Sequence, residues 1–192
     1  MIKATMNDKA LVVNLLSRAF DANQSVNYII RQDAKRARNI RILMQYSFEV
    51  CSRFGDIWLS DDCKACALVL YPHLKRTTLT SLWLDLQLIF KAIDIRNIEK
   101  MLEREFMIKS RRPKEPMAYL WFIGVEPDEQ RKGIGSWLLQ QIFVEAGKKN
   151  LPVYLETSVQ VNLPWYERFG FEVYNRLFLG YMLYFFKREP AK

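Results

Sequence analysis

From Ala118 to Val125 the chain reads Ala-Tyr-Leu-Trp-Phe-Ile-Gly-Val, an uninterrupted uncharged stretch rich in aromatic and β-branched residues. A strand with one wet face would alternate polar and apolar residues, and this stretch does not. It therefore predicts a central strand covered on both faces. A strand covered twice needs helices in layers above and below it, which places the chain in the α/β (α+β layered) class.

The remaining elements agree with that architecture. Leu11, Leu15, Leu16 and Ala19 recur at helical spacing, and Asn7 or Asp8 can cap a helix that reaches Phe20. Residues 21–25 read as a loop. Ile40, Leu43, Met44, Ser47 and Cys51 mark the inner stripe of a second helix, from Asp33 to Phe54, that ends at Gly55. Two strands follow, Ile57 to Ser60 and Cys66 to Tyr71, turned by Asp61-Asp62. Leu79, Leu82, Trp83, Leu86, Ile89, Phe90, Ile93 and Met101 give one apolar face to a long helical segment over 78–109. After the central strand come a helix to Lys148, a strand Val153 to Thr157, a short helix from Pro164 to Phe169, and strands near 171–174 and 177–186.

A chain of 192 residues suits one domain, here 1–192, with a sizeable core. No apolar leader opens the sequence and no uncharged run of membrane length occurs, so a cytoplasmic location is the expectation. Cys51, Cys63 and Cys66 form an odd set; Cys63-x-x-Cys66 would need two more ligands for a zinc site, for which the chain offers only Cys51 and His73, and two reduced thiols at the start of a buried strand are the expectation, with no metal. The formal charge of +8 suits an anionic partner. The densest basic cluster, Arg31, Lys35, Arg36, Arg38 and Arg41, has helical spacing and reads as a solvated face rather than a nucleic-acid site.

Gln130-Arg131-Lys132-Gly133-Ile134-Gly135-Ser136 joins the apolar strand to the next helix. Two glycines one residue apart let the backbone turn tightly and come close to a ligand. The first amides of the helix then point into the same space, where they and the helix dipole favour an anion such as a pyrophosphate. A Walker loop would need Gly-Lys-Ser/Thr after the second glycine, but Gly135-Ser136-Trp137 stands there. A Rossmann turn would need a glycine where Leu138 stands.

The pattern Gln-x-x-Gly-x-Gly after a strand ending Val-x-Pro resembles the acetyl-CoA motif of the GNAT superfamily (Gcn5-related N-acetyltransferases). Asn162-Leu163-Pro164-Trp165-Tyr166-Glu167-Arg168-Phe169-Gly170-Phe171 resembles the closing motif of the same family. The likeness is good over Ala118 to Tyr174 and extends to the N-terminal half only in topology. It implies a mixed, mainly antiparallel sheet flanked by helices, with 78–109 as an extra helical insertion.

The resemblance also implies chemistry. Ile123, Gly124 and Val125 would lend backbone groups to the pantetheine arm of acetyl-CoA. The amides from Arg131 through Ser136, including Lys132, Gly133, Ile134 and Gly135, would receive the pyrophosphate. Tyr166 matches the tyrosine that protonates the departing thiolate, as a phenol of pKa ~10 can for a thiol of ~8.5. The family asparagine would stand at Val159; Asn162 can replace it or cap the following helix. An attacking ammonium must first lose a proton, at a cost of roughly 4 kcal/mol at neutral pH. Glu156 is the candidate base, and His73 a second one. Tyr119, Trp121 and Trp83 can line an acceptor pocket. The implied activity is N-acetyl transfer from acetyl-CoA to a primary amine, on a small molecule or a peptide, by direct attack. The alternative is an inactive CoA-binding regulatory domain. Homodimers are common among similar proteins.

Overall fold

The structure is a computed structural model that describes residues 1–92 and 98–190, with the backbone alone at 79–81, 90, 91 and 100. Its centre is a seven-stranded sheet in the order β1-β2-β3-β4-β5-β7-β6. The strands are β1 Ile2–Lys3, β2 Gly55–Leu59, β3 Ala65–Leu70, β4 Ala118–Val125, β5 Val153–Thr157, β6 Glu172–Phe178 and β7 Met182–Arg188. Only β4 and β5 run parallel; the other neighbouring strands are antiparallel. The helices are α1 Lys9–Ala19, α2 Gln24–Ile29, α3 Arg36–Phe54, α4 Leu79–Ala92, α5 Ile98–Arg111, α6 Ile134–Lys148 and α7 Leu163–Arg168. This is the mixed, mainly antiparallel layered sheet that the sequence implied.

β4 is covered on both faces, as its composition demands. Tyr119 and Phe122 join a core built with Val12, Leu16, Met44 and Phe48 of α1 and α3. Ala118 and Leu120 join a second core with Leu138, Leu139 and Ile142 of α6 and Tyr166 of α7. At the far edge, Ile108 of α5 packs on Leu183 and Phe185 of β7.

Several boundaries differ from expectation for identifiable reasons. A single 3-10 turn, Met6–Asp8, precedes α1, and Thr5 with Asp8 closes a capping box around it. The buried stripe of α1 is Val12, Val13, Leu15 and Leu16, and Leu11 is exposed. Part of the expected loop at 21–25 is α2, capped by the Asn23 side chain that accepts from the Val26 amide. The last two strands turn at Leu179–Tyr181 around left-handed Gly180 rather than at 175–176.

The segment 78–109 is described as two helices; Ile93 lies outside the described residues, as do the side chains of Leu79 and Phe90. Its expected apolar face is buried only in part in α4, where Ile89 is half-buried. Leu82, Trp83 and Leu86 are exposed, while the Asp85 side approaches α3 through a hydrogen bond from the Tyr46 hydroxyl at 2.6 Å.

Candidate active site

β4 and β5 begin as parallel neighbours and then separate. Their register holds only Ala118 opposite Val153 and Tyr119 opposite Tyr154. Beyond that point β4 stays paired with β3 to Val125, and β5 stays paired with β7 to Thr157. A wedge therefore opens between the C-terminal halves of the two strands. A register shift in the β3–β4 ladder leaves Trp121 without an opposite residue, a bulge that adds local twist where the wedge starts.

The ladder decides which backbone groups face this wedge. The Ala65 carbonyl accepts from Ser60 on the β2 side, so Ala65 turns its polar groups away from β4. By antiparallel alternation, Val125 opposite it turns its own amide and carbonyl into the wedge, and Ile123 does the same. Gly124 instead pairs with Cys66, so of the three residues expected to serve a ligand through the backbone, it has its groups in the ladder. Gly124 is small for a packing reason as well: a Cβ there would lie 2.9 Å from Leu16 Cδ2 on α1.

Past β4, a single 3-10 turn at Pro127–Glu129 leads to Arg131 at φ 64° and Gly133 at φ 86°, and α6 starts at Ile134. Gly133 needs its glycine for the dihedral alone, since nothing lies within 4 Å of an added Cβ. Gly135 sits in the first turn of α6, where a Cβ would meet Val125 Cγ2 at 3.2 Å. Among the described residues, nothing accepts a hydrogen bond from any amide from Arg131 through Ser136. The ordinary ladder begins with Trp137, whose amide donates to Gly133 at 2.9 Å. A run of unpaired amides at the start of a long helix is an anion cradle with the dipole aligned behind it. The Gln130 side chain reaches back to the Val125 carbonyl at 3.3 Å, and Lys132 pairs with Glu129 at 2.8 Å.

The closing motif stands against this turn. Trp165 donates its indole N–H to the Ser136 hydroxyl at 3.0 Å, which ties α7 to the first turn of α6. Tyr166 is buried beside Phe171 and Phe186, and burial pushes its phenol pKa up. Among the described residues nothing hydrogen-bonds its hydroxyl, and no buried side-chain oxygen or nitrogen there is left unpartnered. The hydroxyl therefore emerges at the small part of Tyr166 that remains accessible. Asn162 precedes α7 without capping it, so its amide is not consumed by the helix. The Val159 amide donates to Thr157 Oγ1 at 3.1 Å.

Glu156 lies on β5, on the same face as Tyr119. Arg112 donates to both of its oxygens, Nε to Oε1 at 2.6 Å and Nη2 to Oε2 at 2.9 Å. Tyr119 donates to the same Oε2 at 2.9 Å, and the guanidinium carbon lies 4.1 Å from the Tyr119 ring centroid. The Glu156 side chain retains 9% exposure. Arg112 lies between α5 and β4, and nothing in periodicity marks a residue that reaches 44 positions along the chain to its partner. Trp121 packs on Tyr46 of α3, with ring centroids 6.1 Å apart. Trp83 stands 61% exposed on α4. His73 is exposed on the turn after β3; that strand runs opposite to β4, so His73 sits at the far end from the glycine turn.

Among the described residues, no group of three or more His, Cys, Asp or Glu is placed to hold a metal, and the three cysteines are free. No described helix is long and apolar enough to cross a membrane.

Residues 102–173, from α5 through the wedge, the glycine turn and α7 into β6, match the family model described as Acetyltransferase (GNAT) domain. That match covers 102–173 of the 192 residues. A stretch of 61 residues, 32% of this chain, is 41% identical to an uncharacterized N-acetyltransferase of Schizosaccharomyces pombe, and spans 25% of that protein. The fold as a whole is similar to the histone acetyltransferase HPA2 and related acetyltransferase of Corynebacterium glutamicum, at TM-score 0.74 and 21% identity over 100% of this chain and 96% of that one. It is also similar to a GNAT-family protein from Desulfovibrio desulfuricans, at TM-score 0.55 and 15% identity over 99% and 98% of the two chains.

Proposed function

We propose that the protein transfers an acetyl group from acetyl-CoA to a primary amine by direct attack. The observation that carries this reading is the run of unpaired amides from Arg131 to Ser136 beside a wedge whose edge presents Ile123 and Val125. A diphosphate suits the amides, and an extended amide-bearing arm suits the strand edge, so the residues present fit an acyl-CoA. Asn162, uncommitted at the start of α7, is a further contact for the arm.

In this reading the amine nitrogen attacks the thioester carbonyl, the carbon–sulfur bond breaks, and Tyr166 gives its proton to the sulfur. Burial favours the neutral phenol, so Tyr166 carries its proton until a thiolate forms beside it. Glu156 holds the incoming ammonium by charge. Oε1 accepts one bond and Oε2 two, so Oε1 keeps a lone pair for the proton, which it takes against the neighbouring Arg112 charge.

Incubation with acetyl-CoA and a panel of amines, read as free thiol, tests this. Release of thiol that depends on the amine is expected. Thiol release no faster than the buffer blank with every amine, from protein that binds CoA calorimetrically, would leave a CoA-binding module without this activity.

A further inference from the structure

A groove of about 610 Å³ runs between α3 and α4, away from the amide cradle. Its α3 wall carries Arg38, Arg41 and Arg53, and Lys9 stands at its end. Glu49 is the one carboxylate in the lining, and it is consumed by Lys9 at 2.5 Å and by Arg53. Among the described residues no carboxylate pairs with Arg38 or Arg41, and both are exposed. The groove is therefore strongly cationic along one wall.

The α4 wall differs. It offers Trp83, Leu84, Gln87 and Leu88, with no cation. A nucleic acid backbone would be met by charge on one side only and by apolar side chains on the other. An extended peptide meets both walls well, because alternate side chains point to opposite sides. The length agrees: from Arg38 to Arg53 the helix advances about 22 Å at ~1.5 Å per residue. That distance takes about seven residues of extended chain at ~3.3 Å each.

The inner wall of the groove stands against β4, next to where the wedge starts. Tyr46 lines the groove, is fixed to Asp85 of α4 by its hydroxyl, and packs against Trp121, the bulged residue of β4 where the wedge begins. We infer that the acceptor is a peptide whose acidic stretch seats in this groove, acidic side chains toward α3 and apolar ones toward α4, delivering its amine past Tyr46 to the wedge. Naming this peptide as acceptor rests on the acetyl-transfer reading; its docking does not.

The test uses the full chain and a fluorescein-labelled heptapeptide of alternating Glu and Leu, beside the same peptide with Gln for Glu, followed by anisotropy. The acidic peptide should bind at least about tenfold more tightly in ~0.05 M salt and lose most of that preference in ~0.3 M salt. Arg38→Glu with Arg41→Glu should abolish the preference without changing CoA affinity by calorimetry, and the paired Lys substitutions should retain most of it. In turnover, an unlabelled acidic peptide with a free amine should show a lower KM than its Gln counterpart, and the charge-reversed variant should erase that difference while kcat on a small amine stays the same. Equal binding of the two peptides, an unchanged preference in the charge-reversed variant, or displacement of the peptide by a single-stranded oligonucleotide at lower concentration would each overturn the proposal. Absence of turnover with every amine defeats the acetyl-transfer reading and the naming of the peptide as acceptor, while anisotropy still decides the docking.

Discussion

The indole of Trp165 and the hydroxyl of Ser136 are joined by a 3.0 Å hydrogen bond between helices that lie 29 residues apart in sequence. The residue that would cradle a phosphate and the residue that precedes the proposed acid are thereby held in one frame. Trp165→Phe keeps the ring and loses the donor. CoA affinity should fall about three- to tenfold by calorimetry, Ser136→Ala should give the same loss, and combining the two should add little.

Tyr166→Phe should lower kcat by about 10²-fold while leaving CoA affinity unchanged. Because burial raises the phenol pKa, the wild-type rate–pH profile should carry no alkaline break from Tyr166 below about pH 10. A wild-type rate in the Phe variant would remove this residue from the mechanism.

The two glycines of the turn should fail in different ways. Gly133→Ala places a side chain in open space but at φ 86°, so it should cost about 1–2 kcal/mol of stability in urea and spare the cradle's amides. Gly135→Glu pushes a carboxylate between Val125 and those amides, and should abolish CoA binding in protein that still unfolds cooperatively.

Glu156→Gln takes from the largely buried Arg112 the carboxylate that accepts two of its hydrogen bonds, and should destabilise the protein by about 2 kcal/mol or more. Adding Arg112→Met should recover much of that loss. If Glu156 also takes the proton of the amine, the rate profile of the Gln variant moves to higher pH; superimposable profiles would assign proton removal elsewhere.

Acid should weaken the fold through Asp56. Burial raises this carboxyl's pKa, but hydrogen bonds from Lys3 and Tyr71 outweigh it, and the pKa ends below the usual carboxylate range. A depressed folded pKa gives stability that is complete above the unfolded value of about 3.9 and is lost as pH falls through the folded one. Asp56→Asn should therefore lower stability at neutral pH and flatten its decline below about pH 4 in chemical denaturation.

Most of the proposed cofactor half was readable in the sequence because it is local. Strand, turn and helix follow one another within Ala118–Lys148, and φ 86° at Gly133 is what a glycine there announces. β4 and β5 were placed at their observed ends because β-prone runs that start just after Pro116 and Pro152 leave little choice. What escaped depends on distant pairing. Glu156 reads as a lone carboxylate until Arg112 and Tyr119 arrive from elsewhere, and α2 is too short for periodicity to reveal. The exposure of Leu82, Trp83 and Leu86 on α4 escaped because an apolar stripe looks the same whether it is buried or displayed.

The two register pairs between β4 and β5 have one more consequence. Among the described residues they, with the Ala118 amide donating to the Pro152 carbonyl, join a four-stranded half of the sheet, β1 to β4, to a three-stranded half, β5 to β7. An extended ligand lying along Ile123 and Val125 would act as an additional strand, stitching the halves together over the length where the polypeptide leaves them apart. The acyl donor would then be a structural member of the sheet while bound, and amide exchange along this seam should slow when CoA is present and quicken when it leaves.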